Sequence, residues 1–299
     1  QAVLPARPGH EGGDPEDERL MSSRYRLGVS RALYLRPLLA GLGRREMPFD
    51  VMSAHPATLA YEMNEHTGRF QCAFLSPIDY GRRGGDFRIV PGVAVSSSSA
   101  TGTARLFVNP QVRNISTVAV DLRITSDIIL ARIILSERYP NLPSETSRLH
   151  YIPMMPDLPA MLARADAAVL GHADAALPQA YDIFHLDLVQ EWWELTGLPY
   201  VHGMWVAREE GLTDDVVRAL LASRDAAPEA RAATAREAAA ESGAPLAAVE
   251  QYLAAFSYEL DTTGIESLEE FFHYAFYLGI LPDKPDLNFY GADGSSEQA

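Results

Sequence analysis

The sequence predicts an α/β protein in which two lobes enclose a ligand cleft. Short apolar strands alternate with amphipathic helices from Arg24 onwards, which indicates parallel or mixed sheets covered by helices on both faces. Two stretches, 99–105 and 196–205, divide the strands into two sets, as expected where a chain crosses to a second lobe and returns. The second crossing lies within residues 187–206, which combine a helix, a sharp turn and a core strand. A cleft between two such lobes is a natural small-molecule site.

The first lobe is predicted to begin with four strands and two helices. The strands are 24–29, 49–53, 70–76 and 87–96, and the helices are 34–42 and 56–66. Pro56 suits the first turn of the second helix, where no N–H partner is lost, and Gly68 follows the end of that helix. Pro91 and Gly92 predict a break in the fourth strand, because proline donates no hydrogen bond to a neighbouring strand.

The second lobe is predicted to hold the next four strands and two helices. The strands are 103–108, 117–120, 149–152 and 167–170, and the later helix is 158–164. The earlier helix begins after the second of these strands, where Thr125 or Ser126 can cap its start. Asp127 in its first turn and Arg138 near its end carry the charges that the helix dipole favours.

Residues 187–206 then return the chain to the first lobe. Apolar residues recur at helical spacing in the first half of this segment. Gly197 ends the helix, since glycine relaxes the steric limit on the backbone, and Pro199 forces an extended conformation. Residues 200–206 are β-branched and aromatic, which predicts a buried strand with Trp205 near its end.

The remainder of the chain is predicted to be helical. The helices are 214–224, 228–242, one that starts at Pro245 and one that runs from Ser267 to Gly279. Thr213 caps the first of them, and Pro228 suits the start of the second. Glu270 stands three residues after Ser267, and this spacing predicts a capping box at the start of the last helix.

These elements predict a domain division. We expect one lobe to comprise residues 24–104 and 202–290, and the other to comprise 105–201. Residues 1–23 and 291–299 are polar, and we expect them to be disordered tails. Two α/β lobes joined by two crossings have the architecture of the periplasmic-binding-protein-like type II fold. A single doubly wound domain would also alternate strands and helices.

Composition and charge narrow the function classes. A formal net charge of −15 repels polyanions, so we expect no nucleic-acid binding. No apolar run of about 18 residues predicts a membrane span, so we expect no membrane partner. Cys72 is the single cysteine and the eight histidines are scattered, so we expect neither a disulfide framework nor a metal site. No export leader is evident, which favours a cytoplasmic location.

Four stretches match, in order, the pattern of a known family. They are PGVAVSSSSATGTARLF (91–107), VAVDLRITSDIILARIIL (118–135), AAVLGHADAAL (167–177) and TGLPYVHGMWVA (196–207). In the last stretch, Thr-Gly-Leu-Pro is followed by an aromatic residue, Val and a Trp that ends the strand. This pattern resembles the chorismate dehydratase family, which serves the futalosine route of menaquinone biosynthesis. The resemblance covers roughly residues 24–290.

The resemblance implies a lyase that removes water from chorismate to give 3-[(1-carboxyvinyl)oxy]benzoate. A ring proton and a hydroxyl group leave, and the ring becomes aromatic, which supplies the driving force. We therefore expect neither a cofactor nor a metal. The protein has to hold a dianion, exclude water and position the reacting groups. The expected partner is the small dianionic substrate, chorismate, and a homodimer is left open.

The same resemblance and the polar residues around it predict ten site residues. Thr103 stands where the family has a Ser, and Tyr34 stands near a family Asn, so we predict both as catalytic. The predicted substrate-binding residues are Ser30, Arg36, Ser99, Thr101, Thr125, Ser126, Asp174 and Trp205. Because no strong acid–base pair is evident, we hypothesise that the enolpyruvyl carboxylate of the substrate takes the ring proton, with Thr103 and Tyr34 positioning it.

Several alternatives stay open. Thr125 and Ser126 also suit plain helix capping, Arg36 also suits a solvated surface position, and Trp205 also suits the core. A second class of function is a solute-binding protein that captures a small carboxylate without chemistry. A third is the related 1,4-dihydroxy-6-naphthoate synthase, whose chain usually differs after the Leu-Pro of the signature.

Overall fold

The computed structural model describes residues 24–42, 49–65, 67–139, 149–171 and 175–291. The predicted tails lie outside these ranges, apart from Gly291, and so does the site candidate Asp174. The described strands are Tyr25–Val29 (β1), Phe49–Ser53 (β2), Cys72–Leu75 (β3), Arg88–Ser97 (β4), Ala104–Val108 (β5), Thr117–Asp121 (β6), His150–Met154 (β7), Ala167–Gly171 (β8), His185–Asp187 (β9), Tyr200–Ala207 (β10) and Ser257–Glu259 (β11).

Helices cover both sheets. The described α-helices are Arg36–Ala40 (α1), Pro56–Asn64 (α2), Pro77–Gly81 (α3), Ser126–Arg138 (α4), Leu158–Leu162 (α5), Leu188–Thr196 (α6), Asp214–Ser242 (α7), Leu246–Ala254 (α8) and Thr262–Tyr277 (α9). Short 3-10 segments occur at Leu33–Leu35, Gly84–Asp86 and Glu209–Gly211. None of the described helices combines the length and the apolar character that crossing a bilayer needs.

The strands form two separate mixed sheets, which confirms the predicted α/β class. The first sheet has the order β11-β4-β10-β3-β1-β2, and the second has the order β7-β6-β8-β5-β9. The chain leaves the first sheet after β4, forms the whole second sheet from β5 to β9, and returns with β10. The limits proposed for the two lobes, at 104/105 and 201/202, stay a prediction.

Strand β10 is central to the first sheet, as its apolar sequence predicts. It runs antiparallel to β3 and β4, with Trp205 opposite Phe74. Glycine at position 203 leaves space for the Phe74 ring, because a Cβ atom at this position would lie 2.5 Å from that ring. The predicted helix, turn and strand of this segment are confirmed, with Gly197 in the left-handed conformation at φ 70°.

A buried hydrogen-bond chain joins the elements on either side of that turn. The Trp192 indole donates to the Ser267 hydroxyl at 3.2 Å, and Ser267 donates to the Pro199 carbonyl at 2.5 Å. These hydrogen bonds join α6 to α9 and to the start of β10.

The predicted start of the last helix is wrong. Helix α9 begins at Thr262, and Asp261 caps it by accepting from the Gly264 N–H at 2.8 Å. Ser267 is therefore an interior residue of the helix.

Two further expectations are corrected. The predicted break at Pro91 and Gly92 is an irregularity in the pairing of β4 with β10 and not an end of the strand, because β4 continues through Gly92, which has φ +72°. The predicted helices 214–224 and 228–242 are one helix, α7, with Pro228 inside it. A buried stripe of small residues continues across the proline at Ala227 and Ala230, so the packed face outweighs the hydrogen bond that Pro228 removes.

Candidate active site between the two sheets

A cavity lies where elements of the first sheet meet α4 and β5 of the second. Its volume is about 50 Å³, measured as the space open to the centres of water molecules. Its lining residues are Ser30, Tyr34, Pro56, Phe74, Ser76, Thr103, Ile124, Thr125, Ser126, Asp127 and His202. Hydroxyl groups and aromatic rings therefore form most of the wall.

Five of the ten predicted site residues line this cavity. They are Ser30, Tyr34, Thr103, Thr125 and Ser126. Thr101 is buried directly behind the wall, and its hydroxyl lies 2.7 Å from that of Thr103. The Thr101 and Gly102 N–H groups both donate to Asp187 Oδ2, at 3.0 and 2.6 Å, so the crossover loop is fixed to the start of α6.

Three other predicted residues lie away from the cavity. Arg36 forms a bidentate ion pair with Glu241, in which its two Nη atoms donate to the carboxylate oxygens at 2.8 and 2.9 Å. Ser99 is exposed, and Trp205 is fully buried behind Phe74, with 5.5 Å between the ring centroids. Trp205 therefore supports the wall without forming its surface.

In the described part of the chain, no arginine or lysine lines the cavity. Arg123, at the carboxyl end of β6, pairs with Asp121 at 2.9 Å. Arg105 donates to the Gln179 carbonyl at 2.7 Å and lies over the Tyr181 ring. An anionic ligand would therefore depend on hydroxyls, backbone N–H groups and neutral acids.

The amino end of α4 presents such donors to the cavity. Thr125 precedes the helix but makes no side-chain capping hydrogen bond, which corrects the capping prediction. Its hydroxyl instead donates to Asp79 Oδ2 at 2.7 Å, and the Ser76 hydroxyl donates to the same oxygen at 2.5 Å. The first N–H groups of a helix have no partner within the helix, so those of α4 stay available.

Two buried hydroxyls lie close to this helix start. Ser126 is only 4 % exposed and lines the cavity, and Tyr200 is only 2 % exposed. The Ser126 hydroxyl interacts with that of Tyr200 and acts to lower its pKa, although burial keeps the pKa of Tyr200 well above its usual value. Ser126 therefore joins the cavity wall to the first sheet through Tyr200 of β10.

Two carboxyl groups at the cavity have raised pKa values. Burial and the nearby charges of Asp121 and Asp79 raise the pKa of Asp127 to about 7. Burial also raises the pKa of Asp79, although the hydrogen bonds from Ser76 and Thr125 act in the opposite direction. Asp127 therefore changes its charge near neutral pH, which is unusual for an aspartate.

Aromatic packing holds the opposite wall. The Tyr34 ring stacks on Phe256 at 5.0 Å and lies 5.3 Å from the His202 ring. His202 Nε2 and Ser97 Oγ are 2.7 Å apart, and burial lowers the pKa of His202 to about 3. His202 is therefore neutral at physiological pH, and burial keeps the pKa of Tyr34 above its usual value.

Sequence reasoning missed Asp127, Asp79, Ser76 and His202 as members of the site. Asp127 was missed because the helix dipole already explains an acid at the start of a helix. His202 was missed because, although it lies in the stretch 196–207, it has no spacing to other residues that indicates a site. Within the described ranges, no three His, Cys, Asp or Glu side chains come together as a metal site would require.

Three solved structures share the fold. Protein AF1704 from Archaeoglobus fulgidus has a TM-score of 0.64 at 14% identity, over 87% of this chain and 99% of that one. The periplasmic aliphatic sulphonate binding protein SsuA from Escherichia coli has a TM-score of 0.59 at 14% identity, over 89% of this chain and 96% of that one. The alkanesulfonate-binding protein SsuA from Xanthomonas axonopodis pv. citri, bound to MOPS, has a TM-score of 0.54 at 16% identity, over 88% of this chain and 96% of that one. These similarities confirm the predicted periplasmic-binding-protein-like fold.

A family model described as menaquinone biosynthesis matches residues 25–277. The match includes both sheets, all of the described cavity wall and all nine described α-helices. Since the match extends over most of the sequence, the chain belongs to the menaquinone biosynthesis family.

Proposed function

We propose that this protein is a lyase that dehydrates chorismate to 3-[(1-carboxyvinyl)oxy]benzoate. Family membership supports a role in menaquinone biosynthesis, and the ordered resemblance to the dehydratases favours this step. The observation that carries the proposal is the start of α4 at the cavity, where Thr125 makes no side-chain capping hydrogen bond and the Thr125 and Ser126 hydroxyls line the wall. Helix N–H groups and hydroxyls of this kind suit a substrate carboxylate.

The reaction is an elimination across two neighbouring ring carbons. The carbon that bears the enolpyruvyl ether loses its proton, the adjacent carbon loses its hydroxyl, and the electron pair of the C–H bond completes the aromatic ring. We propose that the enolpyruvyl carboxylate of the substrate accepts this proton. Thr103 and Tyr34 line the cavity and would position that carboxylate, while Thr101 orients Thr103 through the 2.7 Å contact of their hydroxyls.

The aromatic wall suits the ring that reacts. Tyr34, Phe74 and His202 all line the cavity, and the Tyr34 and His202 rings lie 5.3 Å apart. An aromatic-lined site of this kind favours a planar product ring.

The direct test is to incubate the purified protein with chorismate and to analyse the products by chromatography and mass spectrometry. We expect an aromatic product that is lighter than chorismate by one water and whose formation depends on the protein. A second candidate function is carboxylate capture without chemistry, which the sulphonate-binding neighbours of this fold favour. Unchanged chorismate together with a raised melting temperature would support that candidate and contradict the lyase.

Thr103 allows a sharper test of the site. A hydrogen bond to a charged group contributes about 1.5–3 kcal/mol. If Thr103 makes such a bond in the transition state, Thr103→Ala should raise the activation free energy by this amount and lower kcat/KM by roughly 10- to 100-fold. Thr103→Ser is the matched control, because it keeps the hydroxyl and should retain most of the activity. Wild-type kcat/KM in Thr103→Ala would contradict the positioning role.

A further inference from the structure

The carboxyl group of Asp127 has no assigned role in the elimination described above. We propose that Asp127 is the catalytic acid of this site: it binds the substrate in its protonated form and gives its proton to the departing hydroxyl. This inference rests on the proposed dehydration, which requires a proton donor because hydroxide is a poor leaving group. It also explains how an acidic cavity accepts an anionic substrate.

The position of Asp127 favours contact with a ligand. It is the second residue of α4, and its side chain lines the cavity next to Thr125 and Ser126. On its other side it rests against Gly171 at the end of β8, where a Cβ atom would lie 2.4 Å from Asp127 Oδ2. Among the described residues no hydrogen bond to its carboxyl is formed, so the part of the carboxyl that lines the cavity can interact with a ligand.

The groups that face Asp127 favour its neutral form. Asp121 from β6 and Asp79 from α3 both oppose a negative charge there. Each of them has a cation nearby, since Arg123 contacts Asp121 at 2.9 Å and Arg82 lies 3.9 Å from Asp79, but their net effect on Asp127 is still to raise its pKa. No cation of the described chain lines the cavity to favour the ionised form of Asp127.

The other titratable groups that face Asp127 do not exchange a proton near neutral pH. Tyr34 and Tyr200 have raised pKa values because they are buried and because Asp127 itself is close. His202 has a lowered pKa because it is buried. With a pKa of about 7, Asp127 is the described cavity residue that both holds a proton and releases it at neutral pH.

The proton balance is complete with this residue. The ring C–H proton passes to the enolpyruvyl carboxylate, the C–H electron pair forms the new ring double bond, and the C–O bond to the hydroxyl breaks. The Asp127 proton joins the departing hydroxyl to form water, which leaves Asp127 ionised. The enolpyruvyl carboxyl then returns its proton to Asp127, so the net change is the loss of one water and no other reactant is needed.

The test compares the wild type with Asp127→Asn, which keeps the shape of the side chain but carries no acidic proton. We expect Asp127→Asn to bind chorismate and to lose at least about 100-fold in kcat, since general acids contribute 10²–10⁴-fold. Wild-type affinity should fall by up to about tenfold for each step of one in pH above pH 7, because the ionised carboxylate repels the dianion. The affinity of Asp127→Asn should not depend on pH in this range.

Matched controls separate the possible outcomes. Asp215→Asn removes an exposed carboxylate of α7 far from the cavity, and it should behave as the wild type in both assays. Wild-type turnover in Asp127→Asn, or equal pH dependence of binding in both proteins, would overturn the inference alone. If the wild type gives no dehydrated product, the proposed function is overturned. In that case, a pH dependence of chorismate binding that is present in the wild type and absent in Asp127→Asn would still support protonated Asp127 as the binding form. Absence of any chorismate binding would overturn both.

Discussion

Asp127 is subject to two opposing effects. It stands in the first turn of α4, where the helix dipole stabilises a negative charge by about 0.3–1 kcal/mol. It is also half-buried and feels the charges of Asp121 and Asp79, and raising a pKa by one corresponds to about 1.4 kcal/mol. A pKa of about 7 means that burial and repulsion outweigh the dipole. A residue placed as an ordinary helix-start acid thereby becomes a titratable group of the cavity.

The raised pKa of Asp127 predicts how stability depends on pH. A carboxyl whose pKa is raised in the folded state binds more protons there than in the unfolded state. The protein should therefore lose stability as the pH rises from about 4, the unfolded pKa, to about 7, the folded pKa. The loss from Asp127 amounts to at most about 4 kcal/mol.

Asp127→Asn removes this dependence and tests it. The variant should gain stability relative to the wild type between pH 4 and pH 8, as measured by urea unfolding at both values. The same stability difference at the two pH values would show that the pKa of Asp127 is not raised.

Helix α7 shows how packing overrides a local signal. Its 29 residues include Pro228, which removes one backbone hydrogen bond and crowds the preceding turn. Thr213 caps its start by accepting from the Val216 N–H, and Gly243 ends it at φ 72°. The cap at Thr213 was predicted from the sequence, but the continuity of the helix depends on the buried face that runs past the proline.

We expect Pro228→Ala to stabilise the protein by about 1–2 kcal/mol. The substitution restores a helix hydrogen bond and relieves a clash, which together stabilise the folded state by up to about 3 kcal/mol. It also makes the unfolded chain more flexible, which destabilises the folded state by about 0.4–1 kcal/mol. Urea unfolding measures the difference, and Glu229→Ala at the neighbouring exposed position is the control. A neutral effect of Pro228→Ala would indicate two separate helices that meet at residue 228.

The two lobes contact one another across the cavity. Thr125, from the second lobe, donates to Asp79 at 2.7 Å and lies 3.2 Å from the Ser76 hydroxyl of the first. The Ala57 N–H also donates to the Arg123 carbonyl at 3.3 Å. These contacts join the two sides of the cavity, so we expect them to break and the lobes to part when a substrate enters.

A cysteine pair should lock the lobes together. The hydroxyls of Ser76 and Thr125 are 3.2 Å apart, so Ser76→Cys with Thr125→Cys brings two thiols close enough for a disulfide after small shifts. We expect the oxidised double variant to lose binding of chorismate and the reduced form to regain it, as measured by calorimetry. Each single variant under the same oxidant is the control, and the native Cys72 is fully buried. Equal binding in the oxidised and reduced forms would show that entry needs no opening.

Much of the fold was determined by the sequence alone. Period-2 and period-3.6 apolar patterns, together with Pro56, Gly197 and Thr213, predicted most strands and helices and the return of the chain at β10. Five of the predicted site residues line the cavity because hydroxyl residues at strand ends and helix starts converge where two sheets meet. Such signals are local, and adjacent residues are sufficient to reveal them.

Only the tertiary structure decided which of these polar groups act together. Arg36 is a plausible carboxylate ligand in sequence, but it pairs with Glu241, 205 positions away. Asp127 is an ordinary helix-start acid in sequence, but burial raises its pKa, and so do the charges of Asp121 and of Asp79, which a distant part of the chain brings to it. The physical reason is that burial and Coulomb interactions act through space, so the charge state of a residue also depends on neighbours that its own segment does not contain.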